Sequence, residues 1–284
     1  MGQPDSTTDT HLFWFSGTGN TWWATRELAR HLGATRMIPL ADPAAASVPP
    51  ARWTGVAFPV YCWGPPAIVN RFLDTMSVEA GSYVFALMTC GADPGSTALR
   101  ARQRLRRRGI ELAAAFCVTL PDNYPPLGGA PPGPRQQVMF DRAPADIRRI
   151  GEMIRSGVRD HYELGRWHWR TVGRLAYPMF IKRVSGLDKG FYADLRCNGC
   201  GLCARICPVV NIELASGRPR WLGHCEQCFA CLHWCPQQAI QFGRRSVRQG
   251  RYHHPACKAA ELILNRPNKA ASREQSPQVR AELP

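Results

Sequence analysis

The chain has 284 residues, of which 45% are hydrophobic, so it is long enough for about two domains with real cores. Its 36 Lys and Arg residues outnumber 21 Asp and Glu residues, and the formal net charge of +15 predicts acidic partners, nucleic acid or anionic lipid without choosing among them. No apolar run reaches the roughly 18 residues of a membrane-spanning helix, and the N-terminus has no signal-peptide pattern, so we expect a cytoplasmic protein.

The first half alternates strand-like and helix-like segments. Strands are predicted at 11–15, 36–40, 53–60, 83–89 and 112–120, and helices at 22–32, 68–76 and 97–108. This order predicts a doubly wound α/β fold with a parallel five-stranded sheet over residues 10–163. In such sheets, ligands bind outside the carboxyl ends of the strands.

A loop of small and hydroxyl-bearing residues separates the first strand from the first helix. It comprises Ser16, Gly17, Thr18, Gly19, Asn20 and Thr21. Backbone N–H groups at a helix N-terminus, joined by these hydroxyls, could hold a phosphate. A Walker loop needs a lysine, and a dinucleotide fingerprint needs a glycine where Trp22 stands, so neither fits. The loop resembles the FMN phosphate loop of flavodoxins; the alternative is an ordinary strand–helix turn capped by Asn20.

Three further loops follow predicted strands. In flavodoxins the loops after the third and fourth strands flank the isoalloxazine ring, so the resemblance implies FMN contacts there. They would come from Pro59, Tyr61, Cys62, Trp63 and Gly64, from Thr89, Cys90 and Gly91, and from a closing segment of Asp122, Asn123 and Tyr124. Tyr61 or Trp63 could stack on the ring, although hydrophobic cover is an equal alternative for Trp63. Cys62 and Cys90 are interpreted as packing residues rather than redox thiols.

Eight of the 12 cysteines form two runs of identical spacing, C-x₂-C-x₂-C-x₃-C-P. The runs are Cys197, Cys200, Cys203 and Cys207 before Pro208, and Cys225, Cys228, Cys231 and Cys235 before Pro236. This spacing is typical of bacterial ferredoxins with two clusters, in which the fourth Cys of each run binds the other cluster. It predicts one [4Fe–4S] cluster on Cys197, Cys200, Cys203 and Cys235, and a second on Cys225, Cys228, Cys231 and Cys207. Zinc sites or a disulfide knuckle are the alternatives, but zinc has no use for a third cysteine at this spacing.

The remaining segments connect or extend these two parts. We predict a Gly/Pro-rich linker at 128–134, a helix at 143–161, a connecting helical segment at 164–189, a small α+β cluster domain at 190–245, a docking segment at 246–267 and a disordered tail at 268–284. Basic and aromatic residues interleave at 166–183, so a membrane-surface role is the less favoured alternative for the connecting helix. His253 and His254 are interpreted as docking residues, since eight cysteines already fill both clusters.

With the phosphate-like loop, Phe58-Pro59-Val60-Tyr61, Pro121-Asp122-Asn123-Tyr124 and the paired Cys runs in this order, the chain resembles the EFR-type flavodoxin–ferredoxin fusion proteins over about residues 11–260. The resemblance implies a flavodoxin-like FMN domain followed by a 2[4Fe–4S] ferredoxin domain. It further implies electron transfer between FMN and the clusters.

Such a protein would serve a redox partner, for which the basic surface predicts an acidic docking surface. No catalytic residue is predicted, and no nucleic acid is expected. One rival is a flavin-dependent oxidoreductase acting directly on a small molecule. Another is a cluster-bearing nucleic-acid-binding or regulatory protein, which would depend on basicity alone.

Overall fold

The computed structural model describes residues 10–263, and its first part is built on a parallel sheet. The strands are β1 (Thr10–Trp14), β2 (Thr35–Pro39), β3 (Trp53–Pro59), β4 (Tyr83–Cys90), β5 (Ala114–Thr119) and β6 (His161–Tyr162). They lie in the order β2-β1-β3-β4-β5-β6, and every neighbouring pair is parallel. The order of the first five is that of flavodoxin-like doubly wound sheets, so the predicted α/β class is confirmed for this region.

The sixth strand corrects the five-stranded prediction. β6 pairs its two residues with Ala114 and Ala115 of β5, and the Tyr162 hydroxyl donates a hydrogen bond to the Leu112 carbonyl. Two residues are too few to show the alternation by which a strand is recognised in a sequence.

Four helices cover the sheet. They are α1 (Asn20–Leu32), α2 (Ala67–Thr75), α3 (Thr97–Arg106) and α4 (Gly133–Arg155). α1 packs against α4, and α2 packs against α3, so the sheet is enclosed between two helical layers. The core between the layers includes four fully buried phenylalanines, which are Phe15, Phe58, Phe85 and Phe116.

The bounds of α4 differ from the sequence prediction, which placed a linker at 128–134 and a helix at 143–161. The helix begins at Gly133 and ends at Arg155. Pro134 lies in its first turn, where a missing N–H and a fixed φ are tolerated. Gly133 and Pro134, which favoured a linker in the sequence, therefore form the first turn of this helix.

The second part contains the cysteine runs, and we call residues 190–245 the cysteine-rich region. Helix α5 (Trp167–Arg183) leads into it from the α/β region. Its elements are β7 (Phe191–Ala193), α6 (Leu202–Ile206), β8 (Ile212–Ala215), β9 (Arg218–Trp221), α7 (Ala230–His233) and β10 (Ile240–Phe242). β7 pairs antiparallel with β10, and β8 pairs antiparallel with β9.

After β10 the chain returns to the α/β region. The backbone N–H of His254 donates to the Thr18 carbonyl at 2.9 Å, and a short helix α8 (Ala259–Leu262) follows. The predicted tail at 268–284 and the last residues of the predicted docking segment lie outside the described residues. Among residues 10–263, no helix combines the length and the apolar character that crossing a membrane requires.

Candidate metal centres and the adjoining crevice

Four cysteines from both runs line one cavity, which we call the first cavity. Cys197, Cys200 and Cys203 come from the first run, and Cys235 comes from the second. The rest of the wall is mainly apolar and includes Leu202, Leu214, Pro219, Pro236 and Ile240. About 320 Å³ free of protein atoms, counting the open mouth, lies between these groups.

The other four cysteines line a second cavity. Here Cys225, Cys228 and Cys231 of the second run are joined by Cys207 of the first. Apolar side chains again dominate the wall, among them Phe191, Val209, Ile212, Trp221 and Phe229. The enclosed and adjoining free space is about 300 Å³. In both cavities, therefore, the fourth cysteine belongs to the opposite run.

The two cavities are neighbours. Helix α6 carries Cys203 and packs against α7, which carries Cys231. Burial raises the pKa of the Cys231 thiol well above its usual value, and the nearby charge of Cys203 adds to this effect. A thiol of one cavity thus lies within electrostatic reach of a thiol of the other.

A single metal ion does not fit these groups. Zinc draws its ligand sulfurs to about 2.3 Å from one point. Within residues 10–263, no group of three or more His, Cys, Asp or Glu side chains is arranged to hold one ion. Four thiols around an apolar space instead match a larger inorganic core that is bound at four corners.

Burial governs the protonation of the cysteine thiols in both cavities. Burial raises the pKa of Cys203 to about 11 and that of Cys225 to about 12. A buried thiol of this kind keeps its proton unless a cationic centre replaces it, since the thiolate is the form that binds metal. The raised pKa values therefore mean that both thiols carry their protons at neutral pH when no metal is bound.

Backbone amides point at three of the sulfurs. Asn211 N–H donates to Cys207 Sγ and Gln227 N–H donates to Cys225 Sγ, both at 3.2 Å. Ala239 N–H donates to Cys235 Sγ at 3.3 Å. Hydrogen bonds to ligand sulfurs are one of the means by which a protein sets the reduction potential of an iron–sulfur cluster.

The loops predicted to hold FMN meet at the carboxyl end of the sheet. The hydroxyls of Thr21 and Thr89 are hydrogen-bonded at 2.8 Å, which joins the loop after β1 to the end of β4. Asn123 Nδ2 donates to Thr18 Oγ1 at 2.8 Å, which joins the segment after β5 to the same loop. The structure thus brings these loops together at the carboxyl end of the sheet, and we call this meeting point the sheet-edge crevice.

The phosphate-like loop, however, is buried and bonded within the protein. Ser16 Oγ accepts a hydrogen bond from Gly19 N–H at 3.0 Å, and all six residues from Ser16 to Thr21 are buried. The amide of Asn20 donates to the Pro121 carbonyl at 3.0 Å and accepts a hydrogen bond from the Tyr252 hydroxyl at 2.6 Å. In this arrangement the side chains of Ser16, Thr18, Asn20 and Thr21 are all hydrogen-bonded within the protein, so whether FMN fits depends on the space over the loop.

Two parts of the chain close the loop. A Cβ on Gly17 would overlap the backbone carbonyl of Cys228, and a Cβ on Gly19 would lie 2.6 Å from Cys257 Cβ. Trp234 Nε1 also donates to the Gly17 carbonyl at 3.0 Å. The second cysteine run and the returning C-terminal segment therefore occupy the space over the loop.

The loop after β3 is closed in a different way. Tyr61 and Gly64 exchange two backbone hydrogen bonds, which leaves Cys62 and Trp63 at left-handed φ values of 49° and 60°. The Trp63 ring stacks on Trp169 of α5, with centroids 5.1 Å apart and planes at 15°. Trp63 thus packs against protein, which is the hydrophobic-cover alternative.

The other predicted ring contacts also have partners within the protein. Cys90 Sγ lies 3.3 Å from Cys117 Sγ, and burial raises the pKa of Cys62. Asp122 Oδ1 accepts hydrogen bonds from the N–H groups of Asn123 and Tyr124, and a Cβ on Gly91 would lie 2.5 Å from Asp122 Cβ. These contacts hold the loops against one another.

Sequence reasoning missed Glu226, whose carboxylate joins the two regions. It accepts hydrogen bonds from Ile68 N–H in the first turn of α2, at 2.9 Å, and from Arg71 Nη2, at 2.6 Å. Its side chain is only 2% exposed, and this burial raises its pKa while Arg71 opposes the shift. A contact across 158 residues leaves no local pattern in the sequence.

His233 was missed for the same reason. Its Nδ1 accepts a hydrogen bond from Tyr252 N–H at 3.1 Å, so the proton is assigned to Nε2, which lies 2.8 Å from the Asn123 carbonyl. Burial lowers the pKa of His233 to about 4. The neutral ring therefore links the segment after β5 to the returning C-terminal segment.

No protein-family model and no curated protein matches this chain. Among solved structures, a Streptococcus pneumoniae flavodoxin is 13% identical, with a TM-score of 0.38, and the match covers 52% of this chain and 99% of that one. Megasphaera elsdenii flavodoxin is 16% identical, with a TM-score of 0.34, and the match covers 50% and 97%. Rubredoxin:oxygen oxidoreductase from Desulfovibrio gigas is 14% identical, with a TM-score of 0.36, and the match covers 53% and 37%. Similarity at this level carries no inference about ligand or activity, and the strand order is the evidence for the fold of the α/β region.

Proposed function

We propose that this chain is an electron-transfer protein that carries two [4Fe–4S] clusters and serves a partner redox enzyme. The observation that carries the proposal is the pair of neighbouring cavities, each lined by four cysteines drawn from both runs. Cys197, Cys200, Cys203 and Cys235 would hold one cluster, and Cys207, Cys225, Cys228 and Cys231 would hold the other. Each cluster would supply one-electron chemistry when bound.

The chain's own residues would fix the clusters and set their surroundings. Apolar side chains line both cavities, Cys203, Cys228 and Cys231 are buried, and the backbone amides of Asn211, Gln227 and Ala239 donate to three other sulfurs. Glu226 and Trp234 anchor the second run to the α/β region. No acid–base pair is required, because moving an electron between bound centres breaks no bond in a substrate.

FMN is not part of the proposed electron path. The sequence expectation of FMN depended on the resemblance of the loop Ser16–Thr21 to the phosphate loop of flavodoxins. The loop that would hold its phosphate is buried and bonded to Asn123, Tyr252 and His254. The rival flavin-dependent oxidoreductase lacks support for the same reason, and because Trp63 is covered by Trp169.

The partner would be recognised by charge. The formal net charge of +15 favours an acidic docking surface on the redox partner, and such binding weakens as the salt concentration rises.

An anaerobic redox titration monitored by EPR tests the proposed function. We expect the reduced protein to show paramagnetic signals that account for two electrons per chain, with the magnetic interaction of neighbouring clusters. A protein that accepts no electron from a strong reductant, or that holds zinc in place of iron, would contradict the proposal.

A further inference from the structure

Helix α5 has one face that anchors it to the α/β region. Gly173 and Tyr177 are its buried residues. The Tyr177 hydroxyl donates to the Pro65 carbonyl at 2.7 Å and accepts from Asn70 Nδ2 at 2.6 Å. With the stack of Trp169 on Trp63, these contacts fix the orientation of the helix.

The opposite face carries large apolar side chains in solvent. Trp167 is 76% exposed, Leu175 is 73% exposed and Met179 is 56% exposed, and Val172 lies beside them. Trp167, Thr171, Leu175 and Met179 are four residues apart, so they form one stripe along the helix, in which Thr171 is the polar member. Contiguous exposed apolar groups of this kind mark an interaction surface.

Basic residues flank this stripe, and no acidic residue lies among them in the sequence. Between Leu164 and Leu187 there is no Asp or Glu, and the basic residues of this stretch are Arg166, Arg170, Arg174, Lys182 and Arg183. Within residues 10–263 none of these five side chains forms an ion pair. The apolar stripe from Trp167 to Met179 therefore runs about 18 Å along the helix and is bordered by uncompensated positive charge.

From this arrangement we propose that α5 docks the protein on an anionic lipid surface, lying in the plane of the membrane with Trp167, Leu175 and Met179 inserted among the acyl chains. Interfacial helices have Trp and Leu on an apolar face and Lys and Arg on their polar surface. In α5 the cations lie beside the stripe, because the opposite face packs against the α/β region. The proposal does not depend on the clusters or on any flavin, so it stands or fails separately from the proposed function.

The chemistry of the face favours lipid over a protein partner. Protein interfaces carry about one hydrogen bond per 100–200 Å². The exposed residues of α5 are almost entirely apolar or cationic, with Thr171 as the exception. Residues 1–9 and 264–284 contain no run of three hydrophobic residues, so neither offers an apolar segment to cover the stripe.

Vesicle flotation of the full chain, purified anaerobically, tests the proposal. We expect binding to vesicles that contain phosphatidylglycerol, weak binding to pure phosphatidylcholine, and a decrease in bound protein as salt is raised. A Leu175→Gln/Met179→Gln variant should bind anionic vesicles at least about tenfold more weakly, because two inserted side chains lose their apolar burial. An Arg174→Gln/Lys182→Gln variant should lose about tenfold or more, since each cation near the surface contributes roughly one kcal/mol.

Matched controls lie elsewhere on the surface. Leu195→Gln removes a leucine that is 97% exposed, and Arg106→Gln/Arg107→Gln removes two exposed cations at the end of α3. These variants should bind as tightly as the unaltered chain if the effect is specific to α5. Equal binding by all variants, or no preference for anionic vesicles, would overturn the proposal. A dimer in sedimentation that the α5 variants dissociate would also overturn the proposal, because a second copy of the chain would then cover the apolar stripe.

Discussion

The indole N–H of Trp234 donates a hydrogen bond of 3.0 Å to the backbone carbonyl of Gly17. Trp234 immediately precedes Cys235, a proposed ligand, whereas Gly17 belongs to the loop after β1, 217 residues earlier in the chain. Both groups are buried. This bond ties the second cysteine run to the edge of the sheet where related folds bind their ligands.

Replacing Trp234 with Phe should destabilise the protein. The variant keeps a ring to stack on His253, which lies 4.4 Å away between centroids, but leaves the Gly17 carbonyl buried without its donor. An unsatisfied buried acceptor costs about 1–3 kcal/mol. Anaerobic urea unfolding measures the loss.

Trp221→Phe is a matched control, because Trp221 Nε1 is buried without a partner among the described residues. Its replacement removes no hydrogen bond and keeps the ring that stacks on Phe191. An equal loss of stability in the two variants would contradict a specific role for the Trp234 bond.

Replacing Glu226 with Gln should raise the reduction potential of the cluster that we propose on Cys225 and Cys228. Ile68 N–H and Arg71 hold Glu226 as a buried carboxylate between these two ligands, and local negative charge disfavours reduction. The EPR-monitored titration should show one centre shifted upward and the other much less. Glu152→Gln, an exposed change on α4, is the control and should shift neither. A downward shift, or none, would show that Glu226 does not act through its charge.

The sequence predicts the features that depend on the spacing of residues close together in the chain. The eight cysteines carry their own spacing, and strands such as β4 are long enough to show their apolar pattern. Glu226 and Ile68 are in contact although they are 158 positions apart in the chain. The hydrogen bond between Asn20 and Tyr252 joins residues 232 positions apart. Such contacts arise from tertiary packing, so a loop that looks open in the sequence can be buried in the fold.

Acid should weaken the docking of the C-terminal segment through His254. This ring stacks on Trp23 and meets Phe140 edge-on, and burial, aided by the charge of His253, lowers its pKa to about 4. The unfolded chain has a pKa of about 6.5 at this side chain, so between these values the unfolded state holds a proton that the folded state lacks. The free energy of unfolding should therefore fall as pH drops from 6.5 towards 4, by up to about 3 kcal/mol from this group.

The comparison that checks this is urea unfolding of the unaltered chain and His254→Gln at pH 7 and pH 5. The variant should lose less stability on acidification. Some slope remains, because burial lowers the pKa of His233 in the same sense. Identical slopes would exclude His254 as a contributor.

The closed loop predicts that the chain holds no FMN. Ser16, Thr18 and Thr21 are buried and hydrogen-bonded within the protein, so a phosphate would have to displace the Cys228 and Cys257 segments. We expect no flavin absorbance after purification and no quenching of FMN fluorescence on titration. One tightly bound FMN per chain would require the C-terminal segment to leave the sheet-edge crevice.

The most direct test of the two-cluster account is iron and acid-labile sulfide analysis of the anaerobically purified chain, together with its Cys207→Ala and Cys235→Ala variants. Eight ligand cysteines in two quartets predict about eight irons and eight sulfides per chain. Each variant should perturb only the cluster of the opposite run. Cys207→Ala should perturb the cluster on Cys225, Cys228 and Cys231. Cys235→Ala should perturb the cluster on Cys197, Cys200 and Cys203. One or two zinc ions without sulfide, or variants that each perturb the cluster of their own run, would contradict it.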